Sequence, residues 1–212
     1  MYVPDHFAMA ETDARAHIRG SDVINLVTVN SGVLAANLVP VLYDEERGNF
    51  GTLVGHVAKA NPQWSDTDPN IDAMAIFPGT DAYVSPSTYA SKREHGRVVP
   101  TWNYVAIHAY GRITWLHETQ RKLEIVGALT IRHEAQREDP WEVTDAPANF
   151  ISALADAIVG FELLVTRIDA KAKLSQNRSE ADRRGVVLDL AGGLSPGERA
   201  VSAAMTASLC YE

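Results

Sequence analysis

The hydrophobic positions in the first sixty residues fall into short runs separated by polar turns. Residues 23–29 are rich in branched side chains and end at Asn30-Ser31-Gly32, a typical turn sequence. A second run covers residues 33–43, and a polar loop at residues 44–48 leads into a third run at residues 49–57. Connections this short join antiparallel neighbours, because a parallel crossover needs a dozen or more residues. The pattern therefore predicts three antiparallel strands.

Further strand-like runs follow before any long helical pattern begins. They cover residues 73–77, 82–85 and 103–115. Only a short amphipathic helix at residues 12–19 and a helical turn at residues 56–64 accompany these six strands. That order argues against the alternating strands and helices of a Rossmann fold. It predicts a mainly β protein with α elaboration, built on a closed or nearly closed antiparallel β-barrel.

The second half of the chain is more helical. Apolar residues at helical spacing predict a helix over residues 118–134, and a second helix over residues 147–158. Asp145 is expected to be the N-cap of that second helix. A last strand is predicted at residues 161–168, where apolar residues alternate with polar ones.

The C-terminal part carries two helix-start signatures with a break between them. Ser179 and Ser195 are each followed three residues later by an acid, as in a capping box. The pair Gly192-Gly193 separates the two helices that these signatures predict. We expect one domain over residues 1–192 and a partly helical C-terminal tail over residues 193–212.

Composition narrows the class of protein. A hydrophobic fraction of 46% and a charged fraction of 22% are ordinary for a soluble globular chain. The first residues lack a basic, apolar leader, and no apolar run approaches the ~20 residues that span a bilayer. The only cysteine is Cys210, so a disulfide framework is excluded. We expect a cytoplasmic protein without membrane partners.

The formal charge argues against direct DNA binding. The chain has 19 Lys and Arg against 27 Asp and Glu, which gives a net charge of −8. Binding to the phosphate backbone needs clustered cations, and the most basic stretch, residues 171–184, is interrupted by Glu180 and Asp182. The sequence also shows no helix-turn-helix pattern with a basic recognition helix. A regulatory role would therefore need an indirect route or a protein partner.

Three stretches gather polar groups in a way that a plain structural strand does not need. They are GHVAKANPQW at residues 55–64, YVSPSTYASK with VPTWNY at residues 83–92 and 99–104, and KAKLSQNR at residues 171–178. Each also has a structural explanation, because a histidine at a strand end, a loop anchored by a tryptophan and solvated surface cations are all common. Spacing alone leaves both explanations open for each stretch.

Together with the N-terminal MYVPDHF, these segments resemble the signature segments of PaiB-type FMN-binding proteins. They occur in the same order over residues 1–190, so the resemblance covers nearly the whole chain. It implies an antiparallel split β-barrel similar to the pyridoxamine-phosphate-oxidase-like proteins, with FMN bound across a homodimer interface. It also implies a negative transcriptional regulator, which on this composition acts indirectly.

The resemblance implies that some residues of these segments bind the phosphate of FMN. The glycine-rich loop of other nucleotide sites is missing, so side chains are expected to hold the phosphate through charge-assisted hydrogen bonds. The candidates in one subunit are Lys59 and Thr101, with Thr28 as a weaker one. Three further candidates would close the site from the same or the partner subunit: Lys173, Gln176 and Arg178.

The flavin ring has its own candidates. His56, Asn61 and Asn103 carry donors that suit an isoalloxazine carbonyl or ring nitrogen. Trp102 or Tyr83 is expected to cover the ring face. One position departs from the family pattern: the second strand carries Ala36-Asn37 where relatives often have Ser-His. Asn37 retains a donor and an acceptor but would make a different contact.

Two alternatives remain open at this point. The first is a flavin-dependent oxidoreductase, for which His108 is the best single candidate for proton transfer, although a structural strand histidine is the more common case. The second is a split barrel that binds haem. No nucleophile elbow, Walker loop or paired metal ligands appear in the sequence, so a metal site is not expected. We expect a two-fold dimer with equivalent sites at its interface, because a half-open barrel exposes apolar strand surface.

Overall fold

The computed structural model describes residues Met1–Leu209. Its strands are β1 Val23–Asn30, β2 Val33–Asp44, β3 Thr52–Ala58, β4 Ala73–Phe77, β5 Asp81–Val84, β6 Thr101–Leu116 and β7 Ile158–Lys173. Its helices are α1 Glu11–Gly20, α2 Gln63–Asp66, α3 Ser91–Glu94, α4 Thr119–Glu134, α5 Ala148–Asp156, α6 Glu180–Ala191 and α7 Pro196–Leu209. Six strands precede the long helix α4, as the sequence pattern predicts.

The strands form one sheet in the order β4-β1-β2-β3-β7-β6-β5, and a further β4–β6 pairing closes it. The β1–β2, β2–β3, β3–β7 and β5–β6 pairs are antiparallel. This confirms the predicted antiparallel barrel. The turn between β1 and β2 consists of Ser31 and Gly32, both with positive φ (49° and 83°), as a two-residue type I′ hairpin turn requires.

The chain divides into two compact units. The first unit contains residues 1–14, 79–107 and 169–212, and the second contains residues 15–78 and 108–168. The long strands β6 and β7 contribute residues to both units. The boundaries of these units differ from the predicted division into residues 1–192 and 193–212. That division stays a prediction.

Alternating side chains of the strands fill the core of the second unit. On β1, Ile24 and Leu26 are fully buried, and on β7 Phe161 and Leu163 are buried in the same way. Their two-residue spacing is the one that places side chains on one face of a strand. The opposite face of β7 carries Glu162, which binds two arginines described below.

The core of the first unit is formed largely by its two C-terminal helices. Val186 of α6 and Val201 and Met205 of α7 are buried against Val84 and Tyr89. The two predicted helix starts are confirmed. Ser179 accepts a hydrogen bond from the Asp182 N–H, and Ser195 and Glu198 bond each other's backbone N–H groups. The sole cysteine, Cys210, lies outside the described residues.

One predicted cap is wrong. Asp145 does not begin α5, because the residue before that helix is Pro147, whose backbone is extended (φ −56°, ψ 135°). Asp145 instead accepts a hydrogen bond from the Glu142 N–H and closes a separate 3₁₀ turn at Val143–Asp145. A carboxylate near a helix start can cap either turn, and the local sequence does not decide between them.

Candidate functional site

Three cations meet where β7 ends in the first unit. Lys171 and Lys173 are two residues apart on a strand, so both side chains leave the same face. Arg178 follows after a turn in which Ser175 has a positive φ of 65°. We call Lys171, Lys173 and Arg178 the cation cluster.

Lys173 donates hydrogen bonds to two neighbouring residues of β6. Its Nζ donates to Thr101 Oγ1 at 2.6 Å and to the carbonyl oxygen of Trp102. Burial lowers the pKa of Lys173, and the positive charges of Lys171 and Arg178 lower it further. An ammonium group has three donors, so one remains for a ligand after these two bonds.

Lys171 is surrounded by aromatic rings. It is buried, and its Nζ lies 3.4 Å from the carbonyl oxygen of Tyr2, to which it donates. The ring centroids of Tyr104, Tyr2 and Phe7 lie 5.3, 5.8 and 5.9 Å from the same atom. Aromatic faces attract a cation but supply no counter-charge.

Arg178 also lies against a ring, with its guanidinium carbon 5.0 Å from the centroid of Tyr89. Asp182 interacts electrostatically with Arg178. Its carboxylate, however, accepts hydrogen bonds from the Ser91 N–H (2.9 Å) and Ser91 Oγ (2.8 Å). Across Met1–Leu209, none of the three cations forms an ion pair with a carboxylate. The cation cluster therefore has unbalanced positive charge.

Two exposed rings stand in the same unit. Trp102 and Tyr83 face each other across the β5–β6 pair, with ring centroids 5.9 Å apart and an angle of 71° between the planes. Their exposed fractions are 53% and 49%. Large aromatic surface left open beside cations suits a planar ligand that carries an anionic group.

Asn103 and Gln176 support the turn that carries the cations. Asn103 is fully buried, and its side chain exchanges hydrogen bonds with Ser175 Oγ at 2.9 and 3.1 Å. Gln176 donates to the carbonyl oxygen of Ala172 and accepts from the Leu174 N–H. Asn103 is therefore hydrogen-bonded within the protein, whereas Gln176 keeps one amide proton free of these bonds. Their contacts with a flavin stay a prediction.

Gln63 organises the polar residues of the second unit. It is 1% exposed, and its Nε2 donates to the carbonyl oxygen of Leu26 (3.0 Å) and to Thr28 Oγ1 (3.1 Å). Asn37 donates to Gln63 Oε1 at 2.8 Å, and Asn61 Oδ1 accepts from the Gln63 N–H at 3.0 Å. We call these residues, with Asn30, the Gln63 network.

The Gln63 network changes the assignment of Thr28. This buried hydroxyl donates to Asn30 Oδ1 at 2.5 Å and accepts from Gln63, so its single donor is already used. In this arrangement the Thr28 hydroxyl has no proton left for a phosphate, and its role as a weaker phosphate candidate stays a prediction. Asn37 and Asn61 also serve this network, although each amide keeps part of its capacity.

The remaining candidates in the second unit stand outside that network. Lys59 is exposed, and it is held through its backbone: its N–H donates to Ala157 and its carbonyl oxygen accepts from Trp64 Nε1. His56 lies under α4 and α5, and burial lowers its pKa. The ring of His108 lies 6.4 Å from that of Tyr110.

The sequence candidates thus separate into groups. Thr101, Trp102, Lys173 and Arg178 belong to one unit, and Lys173 itself contacts Thr101 and the backbone of Trp102. The predicted convergence of Lys59 with them stays a prediction. Sequence reasoning missed Lys171 as a site residue, although its two-residue spacing from Lys173 in a strand was a usable signal.

The described part of the chain holds neither a metal-ligand cluster nor a helix that could span a membrane. Among residues 1–209, no three His, Cys, Asp or Glu side chains are grouped so that they could hold a metal ion. Over the same residues, no helix combines the length and apolar character needed to cross a membrane.

Sequence comparison finds relatives over most of the chain. The family described as "Putative FMN-binding domain" matches residues 1–167. The chain is 30% identical over 206 residues to "Protease synthase and sporulation protein PAI 2" of Bacillus subtilis, covering 97% of this chain and 96% of that protein. An uncharacterized protein of Aspergillus fumigatus is 34% identical over 171 residues, which is 65% of each chain.

Structural comparison agrees on the fold. The FAD and heme binding protein from Mycobacterium smegmatis superposes with a TM-score of 0.58 at 13% identity, covering 89% of this chain and 81% of that one. The flavocytochrome Anf3 from Azotobacter vinelandii gives a TM-score of 0.53 at 13% identity, with 86% and 78% coverage. At these identities the likeness concerns the fold, which is the predicted split barrel.

Proposed function

Because the chain belongs to the family of FMN-binding domains, we propose that its cation cluster holds the phosphate of FMN. The observation that carries this proposal is the unbalanced charge of Lys171, Lys173 and Arg178. Lys171 is buried and Lys173 and Arg178 are half-buried. A protein rarely takes cations out of water without an anion, because the desolvation of each charge must be offset by a partner. A phosphate dianion is a partner of the right charge and size.

Donor chemistry supports the same assignment. Arg178 has five N–H donors in a planar fork, and Lys173 has one ammonium donor left after its two protein bonds. The hydroxyl of Thr101 accepts from Lys173 and can still donate its own proton. Charge-assisted contacts of this kind contribute about 1.5–3 kcal/mol each.

The exposed rings extend the proposal to the flavin. Trp102 and Tyr83 offer a face on which the isoalloxazine can stack, while the cation cluster fixes the phosphate end. FMN, when bound, supplies hydride and electron transfer chemistry. The cation cluster and the two exposed rings of this chain would orient it.

The absorption spectrum of the protein as isolated, followed by titration with FMN, tests this proposal. We expect oxidised-flavin bands, or saturable quenching of added FMN fluorescence. A Soret band would support the haem alternative instead. A bare protein that fails to quench FMN contradicts the proposal.

We also propose that the protein is a homodimer, on the basis of a largely apolar surface in the second unit, in which the polar Asn25 of β1 lies between Leu38 and Ile76. The outward residues of three neighbouring strands form this surface: Ile76 and Met74 on β4, Val27 and Val29 on β1, and Leu34, Ala36 and Leu38 on β2. Leu34 and Leu38 are 73% and 63% exposed. Apolar patches of this kind on a sheet mark protein interfaces.

A charge placed on this surface tests the dimer. Leu34→Glu should convert a dimer to a monomer in light scattering, whereas Leu188→Glu, at an exposed leucine of α6, should leave the mass unchanged. A monomeric wild-type protein, or a dimer that survives both substitutions, contradicts the proposal.

The regulatory role is a further proposal. The Bacillus relative is named for protease synthase and sporulation, and the resemblance of the signature segments implies negative transcriptional control. The net charge of −8 favours an indirect route through a partner protein. Sequence-specific retardation of DNA by the purified protein at physiological salt contradicts that route. Turnover of NADH or NADPH above the free-flavin background would support the oxidoreductase alternative.

A further inference from the structure

The N-terminal segment, residues 1–9, lies against the end of β7 that carries the cation cluster. Ala8 forms an antiparallel bridge with Lys171, and the Met9 N–H donates to the carbonyl oxygen of Ala170 at 3.2 Å. The segment contains MYVPDHF, which resembles a PaiB-type signature, yet none of its residues is among the proposed phosphate contacts. Its position beside the cations suggests a role in their arrangement.

Phe7 of this segment contacts both lysines of the cation cluster. It ends a 3₁₀ turn at Asp5–Phe7, where its N–H donates to the carbonyl oxygen of Pro4 at 2.8 Å, and it is 7% exposed. The centroid of its ring lies 5.9 Å from Lys171 Nζ and 6.0 Å from Lys173 Nζ. The turn and the burial together fix the position of this ring.

A second ring, from β6, contacts the same two ammonium groups. The ring centroid of the half-buried Tyr104 lies 5.3 Å from Lys171 Nζ and 6.0 Å from Lys173 Nζ. An aromatic face attracts a cation within about 6 Å of its centroid. Each of the two rings therefore attracts both lysines. We call Phe7 and Tyr104 the aromatic pair.

The two ammonium groups need such contacts because they repel each other. Lys171 and Lys173 leave the same face of β7, and the positive charge of Lys171 contributes to the lowered pKa of Lys173. Among residues 1–209, neither lysine forms an ion pair with a carboxylate. The negative face of a ring close to both cations reduces their repulsion.

We propose that Phe7 and Tyr104 are positioning residues of the FMN site, which hold the ammonium groups of Lys171 and Lys173 side by side for one phosphate. The inference rests on the proposed function, since it takes the phosphate to lie at the cation cluster. The rings act on the phosphate only through the lysines. Their loss should therefore weaken the binding of FMN and not that of riboflavin, which lacks the phosphate.

Fluorescence titrations of the full chain with FMN and with riboflavin test this inference. Phe7→Leu and Tyr104→Leu keep an apolar side chain but remove a ring face. Each should weaken FMN binding about fivefold and leave riboflavin binding unchanged. Tyr104→Phe keeps the ring and should restore the affinity that Tyr104→Leu loses. A residue that only stabilised the fold would not change the ratio of the two affinities.

Phe50→Leu is the matched control, because the ring of Phe50 makes the same kind of contact in the second unit, 5.7 Å from the guanidinium carbon of Arg15. It should leave the ratio of FMN to riboflavin affinity as in wild type. A preference for FMN that survives in Phe7→Leu and Tyr104→Leu overturns this inference alone. Equal affinity of wild type for both flavins overturns the proposed function as well. If Phe7→Leu fails to fold, Tyr104→Leu and Tyr104→Phe decide.

Discussion

The cation cluster and the Gln63 network are both groups of polar side chains in and beside strands, yet only one is complete within the protein. In the network, Gln63 is bonded to Thr28, Asn37 and the backbone of Leu26, and its partners are bonded in turn. In the cluster, neither Lys173 nor Arg178 forms an ion pair with a carboxylate among the described residues, because Asp182 is hydrogen-bonded to Ser91 instead. On the proposed function, this difference separates residues that stabilise the fold from residues that bind FMN.

A third group shows that cations alone do not define a site. Glu162 accepts hydrogen bonds from Arg47 at 2.8 and 2.6 Å and from Arg121 at 2.5 Å. Hydrogen bonds from Arg47 outweigh the effect of burial and lower the pKa of Glu162. These two arginines are balanced within the protein, which makes them the natural control for the cation cluster.

The largest expected effect comes from removing two charges of the cluster. Lys173→Met with Arg178→Met should weaken FMN binding at least about 100-fold, because two charge-assisted phosphate contacts are lost. Quenching of FMN fluorescence measures the dissociation constant. Arg47→Met with Arg121→Met removes the same charge and should leave FMN affinity unchanged. Equal losses of FMN affinity in both double variants would contradict a specific role of the cation cluster in binding FMN.

Gln63→Leu should show the opposite behaviour. It leaves buried partners such as Thr28 and Asn37 unsatisfied, so we expect a loss of about 2–4 kcal/mol in the free energy of unfolding. Urea denaturation measures this loss, and the exposed Gln136→Leu should have little effect. The folded fraction of Gln63→Leu should still bind FMN normally. A tenfold weaker FMN affinity would place the network in the cofactor site.

Substitution of two threonines, Thr101 and Thr28, gives a matched comparison with smaller expected effects. Thr101→Val should weaken FMN binding about tenfold, since it removes one donor to the phosphate. Thr28→Val should instead destabilise the protein by about 1–2 kcal/mol and leave FMN affinity unchanged. Fluorescence titration and urea denaturation of both variants give the answer. Reversed results would place Thr28 in the phosphate site.

The smallest effect is a pH dependence of the flavin-free protein. The pKa of Lys173 in the folded protein lies below its ordinary value of 10.5, owing to burial and then to Lys171 and Arg178. Between those two pKa values the unfolded chain binds more protons, so stability rises with pH there. Relative to Lys173→Met, wild type should gain thermal stability as the pH rises towards 10.5. A loss of thermal stability with rising pH would contradict the lowered pKa of Lys173.

Period-two patterns and turn chemistry predicted most of the barrel. The bounds of β4 match the prediction, and the turn at Ser31 and Gly32 follows from residues that tolerate positive φ. The last strand extends well beyond the predicted residues 161–168, since β7 pairs with β3 from Ile158 and continues to Lys173. Pairing with a distant strand sets these ends, and a local pattern cannot supply that information.

The site was less predictable for a related reason. Asn103 and Thr28 have hydrogen-bond donors that could bind a cofactor. In the folded chain they are hydrogen-bonded to Ser175 and Gln63, at sequence separations of 72 and 35 residues. A single sequence reveals which residues can form hydrogen bonds, whereas the register between strands decides which are already satisfied. Lys173 and Thr101 are equally distant in sequence, and their contact likewise appears only in the folded chain.

The preference for FMN over riboflavin tests the central claim most directly, because the two differ only in the phosphate. Wild type should bind FMN at least about 100-fold more tightly than riboflavin, and the ratio should fall towards one in Lys173→Met with Arg178→Met. Equal affinity of wild type for both flavins, or a ratio that the double variant preserves, would contradict the assignment of the phosphate to the cation cluster.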